Sequence, residues 1–290
     1  MKESSVPTIS VVIPVYNERA TIEELLWRVQ SVSIDKEVLI VDDGSTDGTR
    51  ELLETIATSA ASNGCAVTLP KTGHALETRN IRVFFQPQNQ GKGAALREGF
   101  RRAIGDIVII QDADLEYDPI EYFKLIEPIQ RGLADVVYGS RFLGGPHRVL
   151  YFWHSIANKI LTLCSNVLTD LNLSDVWTCY KAFRRDVLQA IPLHENRFGF
   201  EVEVTAKIAS RGCRVYEVPI AYSGRTYEEG KKIGWRDAIR GLWCTVRYNV
   251  SREGVKNTDH VDVRGQGPGG DGVREEVSRV DLRGDPAIPR

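Results

Sequence analysis

A single α/β domain with a mostly parallel central sheet flanked by helices is the fold class that this 290-residue sequence predicts. Three observations carry it. Compact, β-branched apolar runs at 9–15, 37–41 and 107–110 show little polar alternation, so strands built from them are covered on both faces, as parallel strands are. Helical periodicities lie between and after those runs, which is the order of β-α-β crossovers. Four strand-to-helix turns carry unusual polar residues, and ligands of open α/β sheets bind at the carboxyl ends of the strands.

The elements follow in order. The first crossover helix starts near Thr21, with Glu23 and Glu24 in its opening turn and Leu25, Leu26 and Val29 on one face. The second follows Ser45, Thr46 and Asp47, a cluster of capping residues. Residues 58–79 are rich in Ala, Ser, Thr, Asn and Gly without a clear period and predict a surface insertion carrying a small hairpin. A strand at 81–85 leads through Gln86 and Pro87 into a glycine-rich helix start, and one at 136–138 leads into Gly139, Ser140 and Arg141. From 149 to 169 apolar residues recur at helical spacing, with Tyr151, Phe152 and Trp153 near the start. That stripe fits packing on the core or a second subunit, or contact with a membrane. Residues 233–250 combine Trp235, Ile239, Leu242, Trp243 and Val246 with Arg236, Arg240 and Arg247, the composition of an amphipathic membrane-interface helix, with packing on the core or a second subunit as the plain alternative. The domain is expected to span 1–250, and the aromatic-free, charge-balanced stretch 251–290 to be a disordered polar tail.

Composition narrows the function. Lys plus Arg total 37 against 39 Asp plus Glu, a net charge of −2, so no overall basic field points to nucleic acid. The five cysteines are scattered without a C-x-x-C pair, which suggests neither a disulfide framework nor a zinc site and fits a reducing cytosol. The N-terminus does not read as a signal peptide, and no run reaches the roughly 18 apolar residues of a membrane span.

Asp112 and Asp114 stand two apart just past the strand at 107–110, where their carboxylates can converge on one hard divalent cation; a solvated, helix-capping turn is the plain alternative. Asn89-Gln90-Gly91-Lys92-Gly93 is a glycine-rich helix start with one lysine, suited to an anion and equally to a structural turn. Asp42 and Asp43 end the second strand, where a carboxylate can accept from a base N–H or a ribose hydroxyl or simply cap the next helix. Arg141, Arg225, Lys231 and Lys232 supply local positive charge that the net charge conceals, either as phosphate contacts or as a solvated face.

The set PVYNE at 14–18, DDGSTDGT at 42–49, NQGKG at 89–93, DADLEYDP at 112–119 and GSR at 139–141 resembles the inverting family-two glycosyltransferases with the nucleotide-sugar-binding GT-A fold, which is Rossmann-like. DVWTCYKAF at 175–183, RFGFEVE at 197–203 and VPIAYSGRTYEEGKKIGW at 218–235 narrow the resemblance to the polyprenyl-phosphate branch, the dolichol-phosphate mannose or glucose synthases. The resemblance covers about residues 9–250, and it implies roles. Pro14, Tyr16 and Glu18 would lie over the base and ribose, with Asp42, Asp43, Lys92 and Ala113 also on the nucleotide-sugar side. Asp112 and Asp114 would bracket Mg²⁺ or Mn²⁺ and the diphosphate. Glu116 replaces a more usual Gln, a departure that offers a third metal ligand or a solvated carboxylate. Arg141 would meet the lipid phosphate, with Arg148, next to His147, as a secondary contact. Arg225, Lys231 and Lys232 would belong to a loop over the diphosphate, and Asp114, Arg141, Arg225 and Asp175 form the expected catalytic set.

The implied reaction is metal-dependent, inverting transfer of a hexose, mannose or glucose, from a nucleoside diphosphate sugar to a polyprenyl (dolichyl or undecaprenyl) monophosphate. A phosphate monoester is largely dianionic at neutral pH and needs little help from a base. The nearest alternative, transfer to a hydroxyl of a glycan or glycolipid, needs one, for which Asp175 and Glu201 are candidates. A silent binding protein and a nucleotidyltransferase are the alternatives of other classes. Many relatives follow this region with transmembrane helices; here a polar tail follows, so the expected location is the cytoplasmic face of the membrane, held peripherally, as a homo-oligomer or through an anchoring partner.

Overall fold

The structure is a computed structural model and describes residues 8–62, 66–149, 151–225 and 235–250, all within one compact unit, Met1–Val255. Strand β1 (Ile9–Val15) is buried along its whole length. Helix α1 (Ile22–Ser31) lays Leu25, Leu26 and Val29 against it, and β2 (Lys36–Asp42) pairs parallel with β1 so that Asp42 stands opposite Val15. Helix α2 (Thr49–Ala61) has Gly48 rather than Asp47 at its N-cap, at φ +91°, where an L side chain is strained. Asp47 still helps from one position earlier, accepting the Thr49 N–H at 3.1 Å.

The insertion is narrower and better anchored than the sequence predicts. Residues 58–61 complete α2, and the hairpin is β3 (Val67–Thr68) with β4 (Ala75–Leu76). Leu69 and Leu76 are fully buried, and fully burying a leucine stabilises by about 1.5–3 kcal/mol. The buried Glu23 carboxylate accepts the N–H groups of Lys71 and Thr72 at 2.7 and 3.0 Å, binding the hairpin to α1. Two leucines and one remote carboxylate suffice, which leaves no periodic signature in the segment itself.

Edge strand β5 (Ile81–Phe85) runs parallel to β2, and α3 (Lys92–Arg102) crosses to β6 (Ile107–Ile110), parallel to β1 on its other side. Then come α4 (Tyr122–Gln130), β7 (Val136–Ser140), α5 (Phe152–Thr169), β8 (Lys181–Arg184), the short α6 (Arg185–Gln189), α7 (Phe200–Ser210), β9 (Val215–Pro219) and α8 (Trp235–Val250). The sheet order is β5-β2-β1-β6-β8-β7-β9, parallel except for β8, which runs antiparallel to both β6 and β7. One face of the sheet carries Val11, Ile13 and Ile40 against α1, α2 and α4; the other carries Val12, Leu39 and Val108 against α3 and α7. That two-sided burial is why the strands read as continuous apolar runs.

The predicted helices at 149–169 and 233–250 start at Phe152 and Trp235 and pack against each other. On α5 the apolar stripe faces outward: Trp153 is 75% exposed and Val167 75%, while Thr162 and Ser165 are the buried positions. No helix among the described residues is long and apolar enough to cross a membrane. Lys231, Lys232, the side chains of Trp235 and Arg236, and the 251–290 tail lie outside the described residues.

Candidate active site

The carboxyl ends of β1, β2, β6 and β7 meet in one polar region. Past β6, Gln111 is fully buried and its Oε1 accepts the hydroxyls of Tyr122 and Tyr180 at 2.8 and 2.6 Å, anchoring the acidic turn from below. The Thr21 hydroxyl donates to the Ala113 carbonyl at 2.7 Å, so the start of α1 grips the turn from the side. Leu115 sits at φ +63°, an uncommon conformation for a residue with a side chain, and Glu116 follows it. Its carboxylate accepts the Tyr222 hydroxyl at 2.9 Å and the Arg225 backbone N–H at 2.8 Å.

Two cations are folded into this turn. Arg225 donates to Asp114 Oδ2 at 2.9 Å and to Glu18 Oε2 at 3.4 Å, and its Nε lies 3.7 Å from Glu116. Lys92, the first residue of α3, holds Asp112 Oδ1 at 2.7 Å. Burial, together with the neighbouring charges of Asp112 and Glu116, pushes Asp114 up to about 7 against the opposing pull of Arg225. An acidic group so crowded that one member resists ionisation, with an arginine standing in as counter-cation, fits a hard divalent ion. Asp112 and Asp114 would offer it carboxylate oxygens. No trio of His, Cys, Asp or Glu is preassembled for an ion among the described residues, so water and phosphate oxygens would supply the other positions, as is usual for Mg²⁺. Glu116 faces Tyr222 and Arg225.

At the end of β7, Arg141 forks onto Asp175 with Nε–Oδ2 and Nη2–Oδ1 distances of 2.6 and 2.8 Å, and the Asp175 carboxylate is fully buried. Asn158 on α5 braces the same carboxylate at 3.3 Å. The guanidinium also lies 5.1 Å from the centre of the Tyr222 ring, whose hydroxyl reaches Glu116, so one tyrosine links the acidic turn to the arginine. Arg148 donates to the Gly224 carbonyl at 3.3 Å, beside the strand of chain that brings in Arg225.

On the β1–β2 side Pro14 is buried in its strand and Tyr16 is 39% exposed. Asn17 and the 45–46 turn bind each other reciprocally, Asn17 N–H to Ser45 Oγ at 3.0 Å and Thr46 N–H to Asn17 Oδ1 at 2.8 Å. Asp42 accepts the Ser45 N–H at 3.2 Å and lies 3.5 Å from Arg50. Asp43 accepts the N–H groups of Gln90 and Gly91 at 2.7 and 2.8 Å; burial pushes its carboxyl up despite them. Both carboxylates are thus taken up in holding loops. Gly91 is required where it stands: at φ +102° its missing Cβ leaves room for the Asn196 carbonyl.

Several residues of this region escape sequence reasoning. Tyr222 lies inside a quoted motif but carries no charge to single it out. Glu217 on β9 accepts the N–H groups of Ser174 and Asp175 at 2.9 and 3.1 Å, setting the loop that presents Asp175, and nothing local marks it. Lys181 on β8 is fully buried and ion-paired with Glu201 on α7, a pair separated by a whole loop.

A mostly parallel sheet flanked by helices, with an acidic turn at its carboxyl edge joined through a tyrosine to a braced arginine, has the architecture of the GT-A fold. Solved structures agree on the fold. Glucosyl-3-phosphoglycerate synthase from Mycobacterium tuberculosis, in complex with Mn²⁺, UDP and glucosyl-3-phosphoglycerate, superposes with a TM-score of 0.60 at 22% identity, covering 84% of this chain and 80% of that one. The same enzyme with Mn²⁺ and UDP-glucose gives 0.61 at 21%, over 84% and 79%. The chain belongs to glycosyl transferase family 2, which it matches over residues 10–191. Among relatives, it is 30% identical to undecaprenyl-phosphate mannosyltransferase of Micrococcus luteus, over 85% of this chain and 94% of that protein. It is 29% identical to polyprenol monophosphomannose synthase of Mycolicibacterium smegmatis, over 77% and 80%. It is 31% identical to undecaprenyl-phosphate 4-deoxy-4-formamido-L-arabinose transferase of Aeromonas hydrophila, over 80% and 64%.

Proposed function

We propose that this glycosyltransferase moves a hexose, mannose or glucose, from a nucleoside diphosphate sugar to a polyprenyl monophosphate, inverting the anomeric carbon, at the cytoplasmic face of a membrane. The observation that carries the choice of acceptor is the state of the two candidate bases. Asp175 is fully buried in a bidentate fork with Arg141, and Glu201 is buried against Lys181, so neither stands ready to take a proton from a sugar hydroxyl. A phosphate monoester needs no such base. The similarity to the Micrococcus and Mycolicibacterium enzymes, which use polyprenyl phosphates, supports the same reading.

Each group then has a task. Tyr16 and Glu18 border the nucleotide, on a turn that Asn17 and Ser45 hold shut. Asp42 and Asp43 serve the donor indirectly, by fixing the 45–49 and 89–93 loops around it. Mg²⁺ or Mn²⁺ bound at Asp112 and Asp114 would neutralise the departing diphosphate. Arg225, with Lys231 and Lys232 expected alongside, adds positive charge there. Arg141, kept in one orientation by Asp175 and Asn158, orients the acceptor phosphate in line with the anomeric carbon, and Arg148 assists. The outward apolar faces of α5 and α8 provide the membrane contact, the latter with Arg240 and Arg247.

The test is to incubate the protein with a panel of nucleotide sugars, polyprenyl phosphate and Mn²⁺, and to weigh the lipid product. A hexosyl-phospholipid with release of nucleoside diphosphate is expected. Transfer only to hydroxyl acceptors would favour the glycan alternative, and release of pyrophosphate would make the protein a nucleotidyltransferase.

A further inference from the structure

Beneath the acidic turn, Asp112 joins a buried charge array whose deeper members, Glu201 and Lys181, the proposed reaction leaves unused. Lys92 Nζ touches Asp112 Oδ1 at 2.7 Å and Cys179 Sγ at 2.8 Å, and stands 3.8 Å from Glu201 Oε1. The other oxygen of Glu201 is bound to the fully buried Lys181, which also donates to the Thr178 carbonyl. Glu201 Oε1 itself is buried and has no hydrogen-bond partner. A buried carboxylate oxygen without a donor is costly and calls for an explanation. Its separation from Lys92 is roughly 1 Å more than a charge-assisted hydrogen bond.

We infer that Glu201 is a positioning residue that receives the Lys92 ammonium when a divalent cation takes Asp112. The inference rests on the metal reading of Asp112 and Asp114. An ammonium and a dication cannot share one half-buried carboxylate without strong repulsion, because both lie where the dielectric is low. Lys92 therefore has to leave Asp112 as the ion arrives. The unpartnered Glu201 oxygen is the only neighbouring acceptor of matching charge among the described contacts of Lys92, and a small rotation of the lysine end reaches it. Because the lysine changes partner instead of leaving, its positive charge stays beside the diphosphate.

The test is Mn²⁺ binding to the full-length protein without donor, followed by electron paramagnetic resonance of the free ion. Lys92→Met removes the competitor and is expected to tighten Mn²⁺ binding about tenfold, while Glu201→Gln leaves the lysine on Asp112 and is expected to weaken it about fivefold, couplings of ordinary size. In the Lys92→Met background, Glu201→Gln should have no further effect, a non-additivity that mere destabilisation would not produce. Unchanged binding in Lys92→Met, or a Glu201→Gln effect that persists without the lysine, overturns the inference. Should Glu201→Gln fail to fold by circular dichroism, Glu201→Asp, which keeps the charge for Lys181 but draws the free oxygen back from Lys92, takes its place and is expected to weaken Mn²⁺ binding in the same direction; unchanged binding in it overturns the inference. Asp114→Asn separates the two levels: if it binds Mn²⁺ as the wild type does, the metal reading itself falls and takes this inference with it.

Discussion

The two ends of the site solve the problem of buried charge differently. At the end of β6, Asp112, Asp114, Glu116 and Glu18 crowd around Lys92 and Arg225, and burial together with the charges of Asp112 and Glu116 holds Asp114 at about 7. At the end of β7, one buried aspartate matches one arginine in a bidentate fork and the charge already balances. Surplus negative charge on a rigid turn creates affinity for a cation, whereas a balanced fork creates orientation. The first end is built to gather a ligand of opposite sign, and the second to aim a side chain that is already satisfied.

Removing the surplus should have the largest effect. Asp114→Ala is expected to cost at least about 3 kcal/mol of transition-state stabilisation while leaving the fold intact, because the carboxylate lies at the strand end and not in the apolar layers. Wild-type turnover in excess EDTA would break the comparison at once. Breaking the balanced end should cost less: Arg141→Ala loses a charge-assisted contact worth about 1.5–3 kcal/mol and should fall on lipid transfer more than on donor hydrolysis. Equal losses in the two assays would return Arg141 to the donor side.

The contrast also explains what could be read from the sequence. The strands and the acidic turn were legible because the information is local: Ile9–Val15 is apolar throughout, and Asp112 and Asp114 are near neighbours. Arg141 was legible as a charge, but its fork with Asp175 spans 34 residues, and Glu217 acts on that loop from 42 residues away. The antiparallel β8 hides because Lys181–Arg184 is short and charged at both ends. The small hairpin was legible in the insertion, but its anchoring was not, because Glu23, which holds it, belongs to another helix, where it reads as an ordinary first-turn acid.

A smaller effect follows from the raised Asp114. Its ordinary value is 3.8 and its folded value about 7, so between those limits the folded form keeps a proton that the unfolded chain has shed. The resulting stabilisation is fully present below about pH 4 and is lost as pH rises through about 7, with a slope of at most about 1.4 kcal/mol per pH unit. Mn²⁺, which needs the ionised form, should bind more tightly over the same rise and release a proton on binding. Thermal unfolding of wild type and Asp114→Asn from pH 4 to 8, with and without Mn²⁺, measures both. Parallel curves for the two proteins would mean that Asp114 does not carry the surplus.

The smallest effects belong to the outer faces, where each side chain acts nearly alone. On α5, Phe152 and Trp153 are 67% and 75% exposed, and on α8 Trp243 is 56% exposed with Arg247 lying 5.0 Å from its ring. Each cation facing anionic headgroups contributes about 1 kcal/mol, and the apolar faces add partial burial, so attachment should be reversible and weakened by salt. Co-sedimentation with anionic vesicles should fall severalfold for Trp153→Ala/Trp243→Ala, while donor hydrolysis in solution stays as in wild type because both tryptophans are largely exposed, Trp153 against Phe152 and Trp243 under Arg247. If the double variant sediments normally but loses lipid transfer, these faces guide the acceptor chain and do not hold the protein to the membrane. If it sediments and transfers normally, the membrane contact lies elsewhere on the chain, and the outward stripe of α5 answers to a protein surface instead.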